Sequence, residues 1–102
     1  MMTKIDLFNA RNASNPVSDG LVLEVVDTGA FPDKDKDGHD VMVTALKTVS
    51  GEVYCSISAN VYNSLDDLNE IIADNAGVPV KVKFIESVSG NNRKFYQVQI
   101  IQ

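Results

Sequence analysis

The chain has 102 residues and a formal net charge of −5, from 14 acidic and 9 basic residues. This length predicts one domain spanning residues 1–102, and 44% apolar residues exclude a disordered chain. The single cysteine excludes an internal disulfide, and no apolar run is long enough for a membrane span, so we expect a cytoplasmic protein without a membrane segment. The negative charge counts against phosphate contacts, which supply most non-specific affinity for nucleic acids.

The first half of the chain consists of strand-like segments separated by polar stretches. Alternating apolar and polar side chains predict the strands. These predicted strands cover residues 4–8, 21–27, 41–49 and 52–59. Polar loops are predicted over residues 9–20 and 28–39. Ser50 and Gly51 predict a two-residue hairpin turn.

One helix and two strands are predicted for the second half. Ser64 is a suitable N-cap, and Asp66 and Asp67 complement the positive end of the helix dipole. The apolar stripe of this helix consists of Leu65, Leu68, Ile71 and Ile72. Residues 80–88 and 94–101 predict two strands joined by a polar hairpin loop. The order of elements predicts a mainly β OB-fold, a five-stranded Greek-key barrel with one helix between strands 3 and 4 and a short extra N-terminal strand.

Residues 33–38, Asp-Lys-Asp-Lys-Asp-Gly, copy the first half of an EF-hand calcium loop. The second half does not match, because Thr44 stands where a bidentate Glu is needed and no helix pattern flanks the loop. We therefore interpret the run as a solvated hairpin loop and predict no metal site and no cofactor. His39 is the only histidine, and no catalytic constellation accompanies it, so we predict that the protein is not an enzyme.

The predicted strand 52–59 has two different faces. Its apolar face consists of Val53, Cys55, Ile57 and Ala59. Tyr54 lies on the polar face, where an exposed ring can stack on a base; the alternative is a Tyr that covers a barrel end. A two-residue turn at Ser50 and Gly51 would place Lys47 directly across from Tyr54.

The last two strands add cations and rings to this predicted interface. Alternation places Lys81 and Lys83 opposite the apolar side of their strand. For the last strand two registers remain open, one that exposes Phe95 and one that exposes Tyr96. The predicted nucleic-acid-binding residues are Tyr54, Lys47, Lys81, Lys83, Phe95, Tyr96, Arg93 and Lys94.

Several blocks of the sequence resemble a known family. These blocks are residues 5–11, Asp19-Gly20 with Glu24, residues 51–58, 80–83 and 95–99. They resemble the early single-stranded DNA-binding proteins of small tailed phages that replicate linear DNA by protein priming. The resemblance implies an OB-like fold, no catalysis, and coating of displaced strands. It also implies that Tyr54 stacks on a base and that Lys81 and Lys83 contact the strand, whereas Lys47 replaces an aromatic residue of the family pattern.

We therefore predict a sequence-tolerant single-stranded DNA-binding protein that coats and protects displaced strands during phage DNA replication. Its expected partners are single-stranded DNA, further copies of itself on DNA, and replication proteins, in the host cytoplasm. The first alternative is a small β-barrel protein-interaction subunit that does not bind nucleic acid. The second is a calcium-responsive module, which depends only on the run of residues 33–38.

Overall fold

The structure is a computed structural model that describes residues 2–75, 78–92 and 94–101. Within these residues, three helices and six strands follow one another. They are α1 (Lys4–Ala13), β1 (Asn15–Pro16), β2 (Val22–Lys34), β3 (Asp40–Thr48), β4 (Val53–Ser56), α2 (Ala59–Asn63), α3 (Leu65–Asp74), β5 (Val80–Val88) and β6 (Lys94–Ile101). The protein is therefore mainly β, as the sequence predicts.

The six strands form one curled sheet in the order β1-β4-β3-β2-β5-β6. All neighbouring strands are antiparallel except the two-residue β1, which runs parallel to β4. The sheet curls into a half-barrel, and α2 contacts β6 near one edge. This architecture is consistent with a β-barrel.

The main core fills the inner face of the half-barrel. Its fully buried centre consists of Val25, Val82 and Phe84. Helix α3 contributes the predicted apolar stripe, with Leu65 and Leu68 buried. Burial of these side chains provides most of the favourable free energy of folding.

A second, smaller cluster lies on the opposite face of the sheet, beneath α1. Its buried members are Met2, Ala10, Phe31, Val43 and Ala45. Gly29 permits this approach, because a Cβ there would lie 2.7 Å from Leu7 Cδ2 and 3.1 Å from Met2 Cβ. Arg11 lies over the Phe31 ring, with its Cζ 4.9 Å from the ring centroid.

The prediction of a leading strand over residues 4–8 is wrong, because α1 occupies this segment. Thr3 and Asp6 form a capping box: the Asp6 N–H donates to Thr3 Oγ1 (3.1 Å), and the Thr3 N–H donates to Asp6 Oδ2 (3.2 Å). The Thr3 N–H and the ammonium of Lys47, 3.6 Å away, hold the pKa of Asp6 below its usual value of 3.8. These interactions stabilise the helix start despite a weak apolar stripe.

The predicted loop over residues 28–39 is also wrong for most of its length. Strand β2 continues to Lys34, and β3 begins at Asp40. A register shift between Val25 and Asp27 interrupts the β2–β3 ladder. The irregularity breaks the simple alternation of side chains, so a single continuous strand was not visible in the sequence.

The hairpin between β3 and β4 differs from the predicted two-residue turn. The Thr48 N–H donates to the Glu52 carbonyl (2.8 Å), so the loop contains three residues. Gly51 supplies the positive φ of 92° that this loop requires. The extra residue shifts the pairing by one, which places Leu46 rather than Lys47 opposite Tyr54.

The segment after β4 contains two helices instead of a longer strand and one helix. Strand β4 ends at Ser56, and Ile57 is 57% exposed, so neither Ile57 nor Ala59 belongs to the predicted apolar face. Helix α3 nevertheless begins after Ser64, as predicted, although the Ser64 hydroxyl donates to the Asn60 carbonyl and does not cap the helix.

Candidate nucleic-acid interface

Strands β5 and β6 have the predicted bounds, and their pairing determines which side chains share a face. Lys83 lies opposite Gln99, Ile85 opposite Gln97, and Ser87 opposite Phe95. Side chains of directly paired residues lie on the same side of a sheet. We call this side of β5 and β6 the outer face. Its members are Lys81, Lys83, Ile85, Ser87, Phe95, Gln97, Gln99 and Ile101.

The two registers left open for β6 are resolved by Tyr96. Its ring packs against the main core and makes an edge-to-face contact with Phe84, with centroids 6.3 Å apart. Phe95 consequently points to the outer face and is half-buried there. The structure therefore has the register in which Phe95, and not Tyr96, shares a face with the lysines.

The outer face carries two lysines. Lys81 and Lys83 lie on one face of β5, and the buried Val80, Val82 and Phe84 lie on its other face, as predicted. In the described parts of the chain neither lysine forms an ion pair. Other cations do: Lys34 pairs with Asp40 (2.6 Å), Lys47 with Asp6 (3.6 Å) and Lys94 with Glu86 (3.5 Å).

The outer face is open to solvent. Lys81, Gln97 and Gln99 are exposed. Helix α1 packs against β2 and β4, on the other half of the sheet. The exposed Glu24 lies across from Lys81 on β2 but forms no ion pair with it. A ligand can therefore reach a ring, two cations and two amides on one surface.

The predicted pairing of Tyr54 with Lys47 is wrong. Tyr54 faces the inner side, half-buried against the main core opposite Leu46. Its hydroxyl donates to Glu52 Oε2 (3.1 Å), and this hydrogen bond, together with the nearby negative charge, raises the pKa of Tyr54. Lys47 lies opposite Val53 on the other face, beside α1. The three-residue hairpin loop explains this difference. It shifts the β3–β4 pairing by one residue from the predicted pairing, and adjacent residues of a strand lie on opposite faces, so Lys47 and Tyr54 do not share a face.

Tyr54 is nevertheless not far from a predicted lysine. A shallow groove of about 520 Å³ is lined by Tyr54 and Lys81, and also by Glu24 and Glu52. The role in base stacking that the family resemblance implies for Tyr54 stays a prediction. Glu24 also borders Lys81 on the outer face, but Glu52 adds a second carboxylate here, which makes this groove less suited to a phosphate.

A larger groove of about 640 Å³ lies between the end of β4 and the start of β6. It brings together the predicted residues Lys94, Phe95 and Tyr96. Ser58 connects its two sides: its hydroxyl donates to the Tyr96 carbonyl (2.8 Å) and accepts from the Tyr96 N–H (3.3 Å). The predicted site residue Arg93 lies outside the described residues.

Comparison with known proteins agrees with this chemistry. The family model described as Phage Single-stranded DNA-binding protein matches residues 1–101. The chain belongs to this family. No curated protein and no solved structure gives a match. Within the described residues, no helix is long and apolar enough to cross a membrane.

Membership of the family confirms the resemblance seen in the sequence. It supports single-stranded DNA as the ligand of this protein. The predicted binding residues did not include Gln97 and Gln99 of the outer face, or Ser58 and Asn60, which line the larger groove. Of the two registers left open for β6, only the one that exposes Phe95 directs Gln97 and Gln99 outward. The position of Ser58 depends on the curl of the sheet, so no local pattern could identify it.

The acidic run ends β2 with Asp33 and Lys34 and continues into a tight hairpin loop, without the flanking helices of an EF-hand. It joins β2 to β3, and the Asp35 carboxylate accepts the N–H groups of Asp37 and His39 (both 2.9 Å). These hydrogen bonds, that of His39 first, hold the pKa of Asp35 below its usual value. Ligand atoms of Asp35, Asp37 and His39 lie within 4.8 Å of one another, and His39 Nδ1 lies 3.4 Å from Asp35 Oδ2.

Cys55 packs against the second cluster as a small core residue. Burial raises the pKa of its thiol, which disfavours the reactive thiolate. The residue therefore contributes packing, as its place on the apolar face of the strand predicts.

Proposed function

We propose that this member of the phage single-stranded DNA-binding proteins coats displaced strands during phage DNA replication, and that the outer face of β5 and β6 is its main contact surface. The observation that carries the proposal is the combination of Lys81, Lys83 and Phe95 on one open face. A base can stack on the ring while the ammonium groups contact phosphates. Phe95 pairs with Ser87 on β5, which lies about 13 Å from Lys83 at about 3.3 Å per residue. One DNA strand can therefore reach both Phe95 and Lys83.

The same surface supports binding without sequence preference. Stacking tolerates any base, because every base has a flat face, and the two lysines contact only the backbone. Gln97 and Gln99 offer both donors and acceptors, so they can adapt to different base edges. We accordingly propose a coating protein rather than a reader of particular sites, and a binding protein rather than an enzyme.

The fold that we propose is an OB-fold, in which oligonucleotide binding is frequent. The sheet order β4-β3-β2-β5-β6, with α2 and α3 inserted between β4 and β5, supports this assignment. The two hydrogen bonds of Ser58 to Tyr96 connect the edges of the sheet where such a barrel would close. Cytoplasmic location, self-association on DNA and contacts with replication proteins belong to the same proposal.

The test removes the two cations and leaves the rest of the chain intact. We expect the double variant Lys81→Gln/Lys83→Gln to bind oligothymidylate more weakly and to lose affinity by a similar factor for other homopolymers. The parent log–log salt slope should be shallow, roughly −1 to −3, because few phosphates can be neutralised. In the variant it should flatten by up to about 1.4, given about 0.7 per phosphate contact.

The matched control is Lys4→Gln/Lys36→Gln, which removes the same charge from two lysines without ion pairs in the described parts of the chain. Lys4 begins α1 and Lys36 lies in the β2–β3 loop, both away from the outer face. If the control loses as much affinity as the test variant, only net charge matters and the proposed surface is wrong. If the parent fails to bind single strands, the protein-interaction alternative replaces the proposal.

A further inference from the structure

The groove between the end of β4 and the start of β6 has the size and lining of a ligand site. Its volume of about 640 Å³ lies within the ~300–1,000 Å³ typical of small-molecule sites. Val17, Val43 and Tyr96 supply apolar walls, while Asn60 and Lys94 supply an amide and an ammonium. A nucleobase has the complementary form, with two flat apolar faces, polar edges and an adjoining phosphate.

The charges of this groove also favour a nucleotide. The chain has 14 acidic residues, yet none of the described residues that line the groove is acidic. The groove beside Tyr54 has Glu24 and Glu52 in its lining, and the cavity beside Tyr62 has Asp66. Lys94 at the groove is paired with Glu86 at 3.5 Å, a contact that an incoming phosphate can replace because the Lys94 side chain is exposed.

The walls of the groove are held in place before any ligand binds. Ser58 occupies the free edge of β6 at Tyr96, where its hydroxyl both donates to and accepts from the backbone. The Tyr96 ring is fixed from the other side by Phe84. A preformed site loses little conformational entropy when it binds.

Phe95 lines this groove and also belongs to the outer face. A DNA strand bound along the outer face can therefore continue directly into the groove. We propose that the groove receives one unstacked base of the bound strand, with the Asn60 amide at the base edge and Lys94 at the adjoining phosphate. This inference rests on the proposed function and adds a second subsite to the outer face.

A tryptophan introduced into the groove tests the inference directly, because the chain contains no tryptophan. Ile57 lines the groove and is 57% exposed, so Ile57→Trp places a reporter there. The control is Phe8→Trp, at a 67% exposed ring of α1 outside this lining. Saturation with oligothymidylate should quench the tryptophan emission of Ile57→Trp and not that of Phe8→Trp. A strand of the same length without bases should quench neither.

A second measurement keeps the natural groove. Asn60→Ala should lower the affinity for oligothymidylate about 3- to 10-fold, the usual worth of one hydrogen bond. Asn63→Ala, also on α2 but outside this groove, should match the parent. The two variants should have equal affinities for the strand without bases.

The outcomes separate this inference from the proposed function. Absence of quenching in Ile57→Trp at saturation, or equal quenching in Phe8→Trp, overturns the groove as a base site while binding to the outer face stands. Parent-like affinity of Asn60→Ala overturns it as well, even if Ile57→Trp does not fold. Failure of the parent to bind oligothymidylate, measured by anisotropy of a labelled strand, refutes the proposed function itself.

Discussion

Replacement of Phe95 by Ala should remove the stacking ring without opening the core. Among the described residues, Phe95 belongs to neither hydrophobic cluster, and its direct partner across the ladder is the small Ser87. We therefore expect the free energy of unfolding to fall by only about 1 kcal/mol. One base–ring stack contributes about 1–3 kcal/mol, so affinity for single strands should fall about 5- to 150-fold.

The assay is fluorescence anisotropy of a labelled oligothymidylate, with urea unfolding of each variant to establish that the protein is folded. The chain supplies a matched control in Phe8, a ring of the same type that is 67% exposed on α1. Phe8→Ala should bind as the parent does. Parent-like binding by Phe95→Ala, or an equal loss in Phe8→Ala, would refute the assignment of the stacking ring to the outer face.

Three further predictions concern the rest of the fold. Tyr54→Ala should lower the urea midpoint more than Tyr54→Phe. In a spectrophotometric titration, one tyrosine of the parent should have a pKa above the usual 10.0, and Tyr54→Phe should lack this titration. Because folding lowers the pKa of Asp6, its carboxylate stabilises the folded protein above pH 3.8, and this stabilisation is lost as pH falls through the pKa of the folded state. Asp6→Asn should therefore reduce the steepness of acid unfolding. Gly29→Ala should destabilise the protein by about 1 kcal/mol in a thermal melt, since Leu7 Cδ2 and Met2 Cβ must both move, whereas Gly90→Ala, with no atom within 4 Å, should be neutral.

Much of the candidate site follows from local patterns. Alternation of apolar and polar residues over 80–84 determines the side of the sheet on which Lys81 and Lys83 lie, and the strand-like runs 80–88 and 94–101 predict the bounds of β5 and β6. The side-chain period of a strand is two, so this result does not depend on how the strand pairs. The apolar stripe of α3 is similarly local, since positions three and four apart always share a face of a helix.

Other features depend on interactions between distant segments. One additional residue in the β3–β4 loop decides that Tyr54 faces the core and that Lys47 does not lie beside it. Helix α1 forms where a strand was predicted, because Ala10 and, in part, Leu7 pack into the second cluster that the sheet provides, and the Thr3–Asp6 capping box stabilises its start. Short segments with weak patterns adopt the structure that tertiary packing favours.

The sequence by itself therefore determined a small, mainly β domain with a lysine-bearing strand pair, and its motif blocks resembled the correct family. Only the tertiary structure decided between Phe95 and Tyr96, since that choice depends on which ring meets Phe84 in the core. It alone also placed Ser58 against Tyr96, residues separated by 38 positions in the chain. Local periodicity predicts which face a side chain occupies within its own strand, whereas the curl of the sheet determines which faces and edges meet.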